Sequence, residues 1–475
     1  MTPTRPTDPH QKALAINLDP RRYGTFAEIG AGQEVVRWFF RAGGAAGTIA
    51  KSISAYDMTV SDAIYGKGER YVCRQRLERM LEYEHRLNLE RLRERRGNTT
   101  AFFAFADTVK ARSFSGASEC HGWMGVRFQS HPRDDDSQII IHVNMLDREK
   151  EAQQEALGIV GVNLVYGACS LFHEPEVLVE SLLDGLTTDR IEIDMVELSG
   201  IEFRHVDNRV LTLKLVQLGL TGAAMFAADG TVLHPAEVLY KRPVLVERGS
   251  VRPVTYVNLD MLEGALERFT RDPALAGETV VPLMEITMRN LISTAGSGSV
   301  DVHDFLARAD VLAACGMTVL ISDYFEYYRL AGYLARHTNK KIGIVMGAAS
   351  LRELFDEQFY GNLDGGILES FGRLFKNDLK IFVYPLLEKS GDLTTVQNLE
   401  VAAELRKLYE YLVDRGCIEQ LENFHREYLP FYSRDILQRI KVCDDSWQQM
   451  VPSAVAEVIK RNGFFGYQPP VAISA

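Results

Sequence analysis

Carboxylates and arginines follow two apolar segments in the second half of the chain, where strands of a parallel sheet are expected to end. Glu285 and Arg289 belong to the first of these places, and Asp323 and Tyr324 to the second. In an open parallel sheet, the carboxyl ends of the strands meet at one rim, and ligands bind there. We therefore predict Glu285 and Asp323 as acid/base groups. Arg289 and Tyr324 are predicted to contact the ligand.

A turn of small residues follows a third apolar segment and could hold an anion. It runs from Gly347 to Ser350 and precedes a predicted helix. Ser350 is expected to cap this helix, and Glu353 to complete a capping box. Unpaired N–H groups at a helix N-terminus attract phosphate, and Arg352 could neutralise it. Helix caps need the same residue types, so a purely structural role for the turn stays open.

A second cationic site follows from the alternation of side chains along strands in the middle of the chain. If Phe102–Phe114 is one strand, Lys110 and Arg112 lie on the same face. Two further strands could add Arg127 and His142 to that face, depending on how they pair. Such a surface would suit a phosphate or a carboxylate. The alternative is an ordinary polar face exposed to water.

Cysteine and histidine lie side by side at Cys120 and His121, next to Glu119. These residue types can act as nucleophile and base, or as metal ligands. The spacing to the next histidines matches no metal-binding motif, and adjacent side chains of a strand point in opposite directions. We therefore predict no metal, and the sequence leaves any cofactor unknown.

Charge and composition limit the class of partner. The chain has 475 residues, and its 53 basic and 64 acidic residues give a net charge of −11. An acidic chain repels nucleic acid. A basic group at Lys241, Arg242, Arg248 and Arg252 could still draw in a small anion. The expected partner is therefore an anionic small molecule, not nucleic acid.

The spacing of the cysteines and the length of the apolar segments indicate the cellular compartment in which the protein is expected. The six cysteines contain no C-x-x-C pair, which is typical of free thiols in a reducing compartment. The first residues lack the apolar core of a signal peptide. The longest uncharged run, Ala156–Phe172, is shorter than the roughly 20 residues of a membrane span. A cytoplasmic protein without membrane contact is expected.

The same run contains Gly158, Gly161 and Gly167. These glycines would let another backbone approach the helix closely. Close packing inside one subunit is the first interpretation, and an oligomer interface is the alternative. We expect a homo-oligomer.

The periodicity of apolar residues predicts an α/β protein in three parts. Residues 1–100 are expected to form a helical N-terminal segment, and 101–275 an α+β domain with strands that include 210–218. Residues 276–475 alternate apolar strands with amphipathic helices. That pattern is typical of a Rossmann-like parallel sheet covered by helices, followed here by C-terminal helices.

Three stretches of the chain resemble a family of bacterial cytosolic proteins. They read FAEIGAGQEVVRWFFRAGGAAGTIAKSISAYDM, ECHGWMGVRFQ and LTLKLVQLGLTGAAMFAADGTVLHPAEVLYKRPVLVERGS. Members of that family often carry the labels nicotinate-nucleotide adenylyltransferase or TonB-dependent receptor. The chain lacks the His-x-Gly-His motif of such adenylyltransferases, and a receptor barrel would need many alternating strands. The resemblance therefore implies a family but no activity and no catalytic residues.

The sequence favours an enzyme that binds a phosphorylated or nucleotide-like small molecule at the carboxyl rim of the C-terminal parallel sheet. The reaction type stays open, with group transfer as one option. The alternatives are a non-catalytic self-assembling scaffold and a ligand-sensing protein.

Overall fold

The chain folds into two compact units, residues 1–222 and 223–475. The computed structural model describes residues 5–30, 32–68, 70–111, 120–292 and 300–469. Both units combine helices with a large sheet, which confirms the predicted α/β class. Within the described residues, no helix combines the length and apolarity that a membrane span requires.

The N-terminal unit is built around a sheet with the order β2-β1-β3-β4-β5-β6. Its elements are α1 (Pro9–Asn17), β1 (Arg22–Gly30), α2 (Val35–Ala42), β2 (Ile49–Ile53), α3 (Met58–Tyr65), α4 (Arg74–Arg96), β3 (Ala101–Lys110), β4 (His121–Phe128), β5 (Ser137–Met145), α5 (Lys150–Ser170), α6 (Pro175–Ser181), β6 (Ile191–Gly200) and α7 (Asn208–Gln217). Strand β1 pairs in parallel with β2 and β3, and β3 to β6 are antiparallel. Helices α2 and α5 pack on the core face of this sheet, and α4 covers β3 and β4.

Two parts of the N-terminal prediction need correction. The first hundred residues are helical only in part, because they also contain β1 and β2, and β1 lies between β2 and β3 in the sheet. Residues 210–218, predicted as a strand, lie mainly in helix α7. Leu211, Leu213 and Leu215 alternate as in a strand, but Leu211 and Leu215 also have helical spacing. Asp207 caps the helix by accepting a hydrogen bond from the backbone N–H of Arg209, which a strand would not use.

The glycines of helix α5 serve close packing inside the N-terminal unit. A Cβ atom at Gly161 would lie 2.2 Å from a methyl carbon of Val35 in helix α2, and one at Gly158 would lie 2.8 Å from the Trp38 indole nitrogen. A Cβ at Gly167 would meet Leu178 of α6 at 2.9 Å. These contacts agree with the first interpretation of the small-residue run.

We expect Gly161→Ala to lower the free energy of unfolding by about 1–3 kcal/mol, because the added methyl group overpacks the contact with Val35. Gly332→Ala is the matched control, since nothing lies within 4 Å of a Cβ atom at that helical position. The control should be neutral or stabilising by up to about 1 kcal/mol. Urea unfolding measures both variants. Equal stability of the two variants would contradict the packing.

The C-terminal unit contains a sheet with the order β16-β13-β12-β9-β10-β11-β7-β8 and a separate β14-β15 pair. Its elements are β7 (Ala223–Phe226), β8 (Val232–Leu233), α8 (Pro235–Val238), β9 (Val244–Arg248), α9 (Tyr256–Thr270), β10 (Val281–Thr287), α10 (Met288–Leu291), α11 (Val302–Ala313), β11 (Val319–Ser322), α12 (Tyr327–His337), β12 (Ile342–Gly347), α13 (Ala348–Leu354), α14 (Gly366–Leu374), β13 (Lys380–Tyr384), β14 (Leu386–Leu387), β15 (Leu393–Thr394), α15 (Arg406–Asp414), β16 (Ile418–Gln420), α16 (Ser433–Lys441) and α17 (Ser453–Asn462).

The strands from β16 to β11 in this order are all parallel, and β7 and β8 continue the sheet as antiparallel strands. Helix α9 packs against β9 and β12. Alternate side chains of the strands, among them Val246 and Ile344, form a hydrophobic core with α12, α13 and α14. The prediction of a parallel sheet covered by helices is confirmed. The unit begins at residue 223 rather than near 276, because β9 is inserted between β10 and β12.

Candidate functional site

A cavity of about 390 Å³ lies at the carboxyl ends of the central parallel strands of the C-terminal unit. From β9, the chain adds β10 and then β11 towards one edge of the sheet. It then crosses to the other side of β9, where it adds β12 and β13 towards the opposite edge. The strand order therefore reverses between β9 and β12. Ligands of open α/β sheets bind in the crevice formed at such a reversal. The cavity also has the size of an ordinary small-molecule site.

The cavity is lined by the residues that directly follow these strands. Ser250 lies after β9, and Ser350 lies in helix α13, which follows β12. Thr287 is the last residue of β10, and Arg289 lies two residues beyond it. Phe325 is one of the residues contributed by the segment after β11. The strand ends predicted from sequence thus do meet at one rim, and two of the predicted ligand residues, Arg289 and Ser350, line the cavity together.

Arg248 is held in the wall of the cavity by a fixed network. Its Nε and Nη2 atoms donate to the two carboxylate oxygens of Glu285, at 2.7 and 3.0 Å. Further hydrogen bonds run to the backbone carbonyls of Tyr324 and Phe325, at 2.8 and 2.5 Å. Burial disfavours the charged guanidinium, but the Glu285 carboxylate more than offsets this, so the pKa of Arg248 is raised. Arg248 and Glu285 therefore form a fixed ion pair beside the cavity.

Glu285, which the sequence predicted as an acid/base group, is not among the residues that line the cavity. Its side chain is fully buried, and both carboxylate oxygens accept hydrogen bonds from Arg248. The Ser322 hydroxyl donates a third bond, at 2.5 Å. A carboxylate held by these bonds fixes the position of Arg248.

The other predicted acid/base group, Asp323, also lies outside the site. Its side chain is exposed, and Asp323 is not part of the cavity lining. The chain turns immediately after β11, so that Asp323 faces water while Phe325 and Glu326 reach the cavity. The carboxylates that do line the cavity are Glu326 and Glu353.

Three further predicted ligand residues are placed elsewhere. The Tyr324 side chain belongs to the hydrophobic core and packs on Tyr333. Arg352 is exposed and pairs with Glu388 at 3.2 Å. Gly347 precedes helix α13 as its cap but is not among the lining residues.

The predicted capping box after β12 does not form. Ser350 lies three residues past the capping position, and the residue at that position, Gly347, has no side chain to form a cap. The Ser350 side chain is therefore not engaged as a cap and lines the cavity instead. Helix α13 has only seven residues, so we assign no anion site to its N-terminus.

Arg289 is the cation that the rim presents to a ligand. It is exposed, it lines the cavity, and its guanidinium carbon lies 4.2 Å from the centre of the Phe325 ring. This stacking orients the planar guanidinium. The cavity is also lined by Tyr327. Burial raises the pKa of its phenol to about 12. The Tyr327 phenol stays protonated at neutral pH and can donate a hydrogen bond.

Comparisons with known solved structures show similarity over about a third of this chain. No family model matches the chain, and no curated protein matches it. Among solved structures, it is similar to the competence/damage inducible protein CihA of Agrobacterium tumefaciens (15% identity, TM-score 0.23, 34% of this chain and 93% of that one). It is also similar to competence-damaged protein (CinA) superfamily proteins of Klebsiella pneumoniae (11%, 0.26, 34% and 96%) and Escherichia coli (12%, 0.23, 34% and 89%).

The cationic face predicted in the N-terminal unit does not form one site. Lys110, Arg127 and His142 share a face of the sheet, as the alternation predicted. However, Arg127 lies opposite Gln138, four residues from His142 along β5, which is about 13 Å. Arg112 lies outside the described residues.

Each of the two inner cations also has its own acid. Arg127 donates to Asp136 at 3.0 Å. The Nδ1 atom of His142 lies 2.6 Å from the Asp194 carboxylate, and its Nε2 atom lies 3.0 Å from Nδ1 of His121. The charges needed to hold an anion are therefore compensated within the protein.

Cys120 and His121 do not form a nucleophile and base pair. Cys120 packs against the hydrophobic core of the N-terminal unit, while His121 lies on the opposite face beside His142. Adjacent residues of an extended segment point to opposite faces, as the sequence indicated.

Sequence reasoning missed two groups in the C-terminal unit. The first is the segment Phe325–Tyr327, whose position directly after an apolar strand was the available signal. The second is Asp260, which accepts hydrogen bonds from the Tyr384 hydroxyl and from Nδ1 of His425, each at 2.5 Å. These residues come from α9, β13 and the segment after β16, so no local pattern connects them. The bond to Asp260 raises the pKa of the exposed His425.

Proposed function

We propose that the C-terminal unit binds a phosphorylated or nucleotide-like small molecule in the cavity between the ends of β9, β10 and β12. The observation that supports this most strongly is the position of the cavity at the reversal of strand order, with Arg289 exposed inside it. A guanidinium group suits phosphate because it donates parallel hydrogen bonds to two oxygens. The charge of Arg248 is balanced by Glu285, so Arg289 is the cation that we assign to the phosphate.

The remaining lining groups complete the proposed site. Ser250 and Ser350 offer hydroxyl groups to the anion, and Glu326 and Glu353 offer acceptors to the hydroxyl or amino groups of the ligand. If the protein catalyses a reaction of this ligand, Glu326 and Glu353 take the acid/base role that the sequence predicts for Glu285 and Asp323. Group transfer is the reaction class that we propose, and a ligand sensor would use the same cavity without turnover.

Arg289→Ala is expected to weaken the binding of AMP and ribose 5-phosphate by about 10- to 100-fold, because it removes a charge-assisted hydrogen bond to phosphate. Isothermal titration calorimetry measures this directly. Arg434→Ala is the matched control, since Arg434 is an exposed arginine of α16 outside the cavity lining. Its affinity should equal that of the wild type. Equal losses in both variants, or no binding by the wild type, would overturn the proposal.

A further inference from the structure

The cavity wall contains an aromatic ring that the protein leaves exposed. Phe325 is 38% exposed, although its neighbours in the lining are largely polar or charged. The ring is held in place by an edge contact with Phe359, at 5.4 Å between ring centres and an interplanar angle of 62°. Arg289 lies against it at 4.2 Å. A fixed and exposed ring beside a phosphate-binding cation is a surface on which a planar group can stack.

The charges of the lining indicate what kind of planar group. Arg289 provides a positive charge, and Glu326 and Glu353 provide two negative ones, whereas the charge of Arg248 is balanced by Glu285. A bare phosphate or a simple dicarboxylate would meet repulsion at the glutamates. A ligand with an anionic end and a neutral end that donates hydrogen bonds matches both halves of the lining. The amino and hydroxyl groups of a nucleoside are such donors.

We infer that the ligand is a nucleotide whose base stacks on the exposed surface of the Phe325 ring while its phosphate contacts Arg289. This inference rests on the proposed function and adds the substrate class. Every base has a flat π-face, so stacking accepts a range of bases, and it contributes about tenfold or more to affinity. Phe325 is a specificity-determining residue because it separates nucleotides from sugar phosphates.

The test compares AMP with ribose 5-phosphate, which carries the same phosphate and sugar without the base. Calorimetry is carried out on the full chain as wild type, Phe325→Ala, Phe325→Tyr and Arg289→Ala. The wild type should bind AMP at least tenfold more tightly than ribose 5-phosphate. Phe325→Ala should weaken the binding of AMP at least threefold more than that of ribose 5-phosphate, which brings the two affinities to within about threefold of each other. Phe325→Tyr should restore the preference for AMP, because it retains the aromatic face.

The outcomes separate this inference from the proposed function. Equal affinity of the wild type for both compounds, or an AMP preference that survives Phe325→Ala, would overturn the nucleotide assignment while the anion site stands. Equal weakening of both compounds in Phe325→Ala would also overturn it, since the ring would then only support Arg289. Absence of binding by the wild type would remove the proposed function and this inference together.

Discussion

Arg248→Met is expected to destabilise the C-terminal unit by about 3–5 kcal/mol, because it leaves the Glu285 carboxylate charged and fully buried without its cation. The carbonyls of Tyr324 and Phe325 lose hydrogen bonds in the same step. The variant should also bind AMP more weakly. Urea unfolding of the full chain measures the loss, and hydrogen exchange of peptides from β9 and β10 assigns it to this unit.

The double variant Arg248→Met with Glu285→Gln distinguishes a lost charge pair from a packing defect. Without the buried charge, the Ser322 hydroxyl can still donate to the amide oxygen that replaces the carboxylate oxygen. We expect the double variant to recover most of the lost stability, since a neutral pair in place of a buried ion pair is often tolerated. A double variant as unstable as the single one would contradict the role given to Glu285.

Glu247→Gln is expected to remove a large pH dependence of stability. Glu247 is fully buried, and only its Oε1 atom accepts a hydrogen bond, from Asn258 at 2.8 Å. Burial raises the pKa of Glu247 to about 8, whereas the unfolded chain titrates near 4.5. The folded state therefore holds a proton that the unfolded state releases. Its contribution to stability is complete below the unfolded pKa and is lost as the pH rises through the folded pKa.

The wild type should lose about 3 kcal/mol of stability through this group between pH 5 and pH 8. Glu247→Gln should lack that loss, because the amide does not titrate and can keep the bond from Asn258. Glu263→Gln, at an exposed position on the same helix α9, is the control and should keep the wild-type pH profile. Urea unfolding at a series of pH values measures all three proteins. Parallel profiles for wild type and Glu247→Gln would contradict the buried neutral carboxyl group.

The rim of the C-terminal sheet was predictable because its strands are nearly all apolar and alternate with amphipathic helices. That pattern places Arg289 and Ser350 at the same rim, and both line the cavity. It could not show that β9 lies between β10 and β12, since local periodicity does not encode strand order. For that reason local periodicity does not reveal the pairing of Glu285 with Arg248, 37 residues away, and Glu285 is predicted as an acid/base group.

In the N-terminal unit, the alternation along β3, β4 and β5 correctly predicted which cations share a face. The distance between Arg127 and His142 depends on how far the strands are shifted along one another, which alternation leaves open. Their acidic partners come from a turn and from β6, at Asp136 and Asp194. The cationic surface that the sequence predicts is thus replaced in the fold by separate pairs of Arg127 with Asp136 and of His142 with Asp194.

The position of a bound ligand tests the proposed function most directly. A crystal structure of the full chain soaked with AMP is predicted to show the phosphate in contact with Arg289 and the base against Phe325, at the ends of β9, β10 and β12. An empty cavity at a concentration that saturates binding in solution, or an ordered ligand elsewhere on the protein, would contradict it.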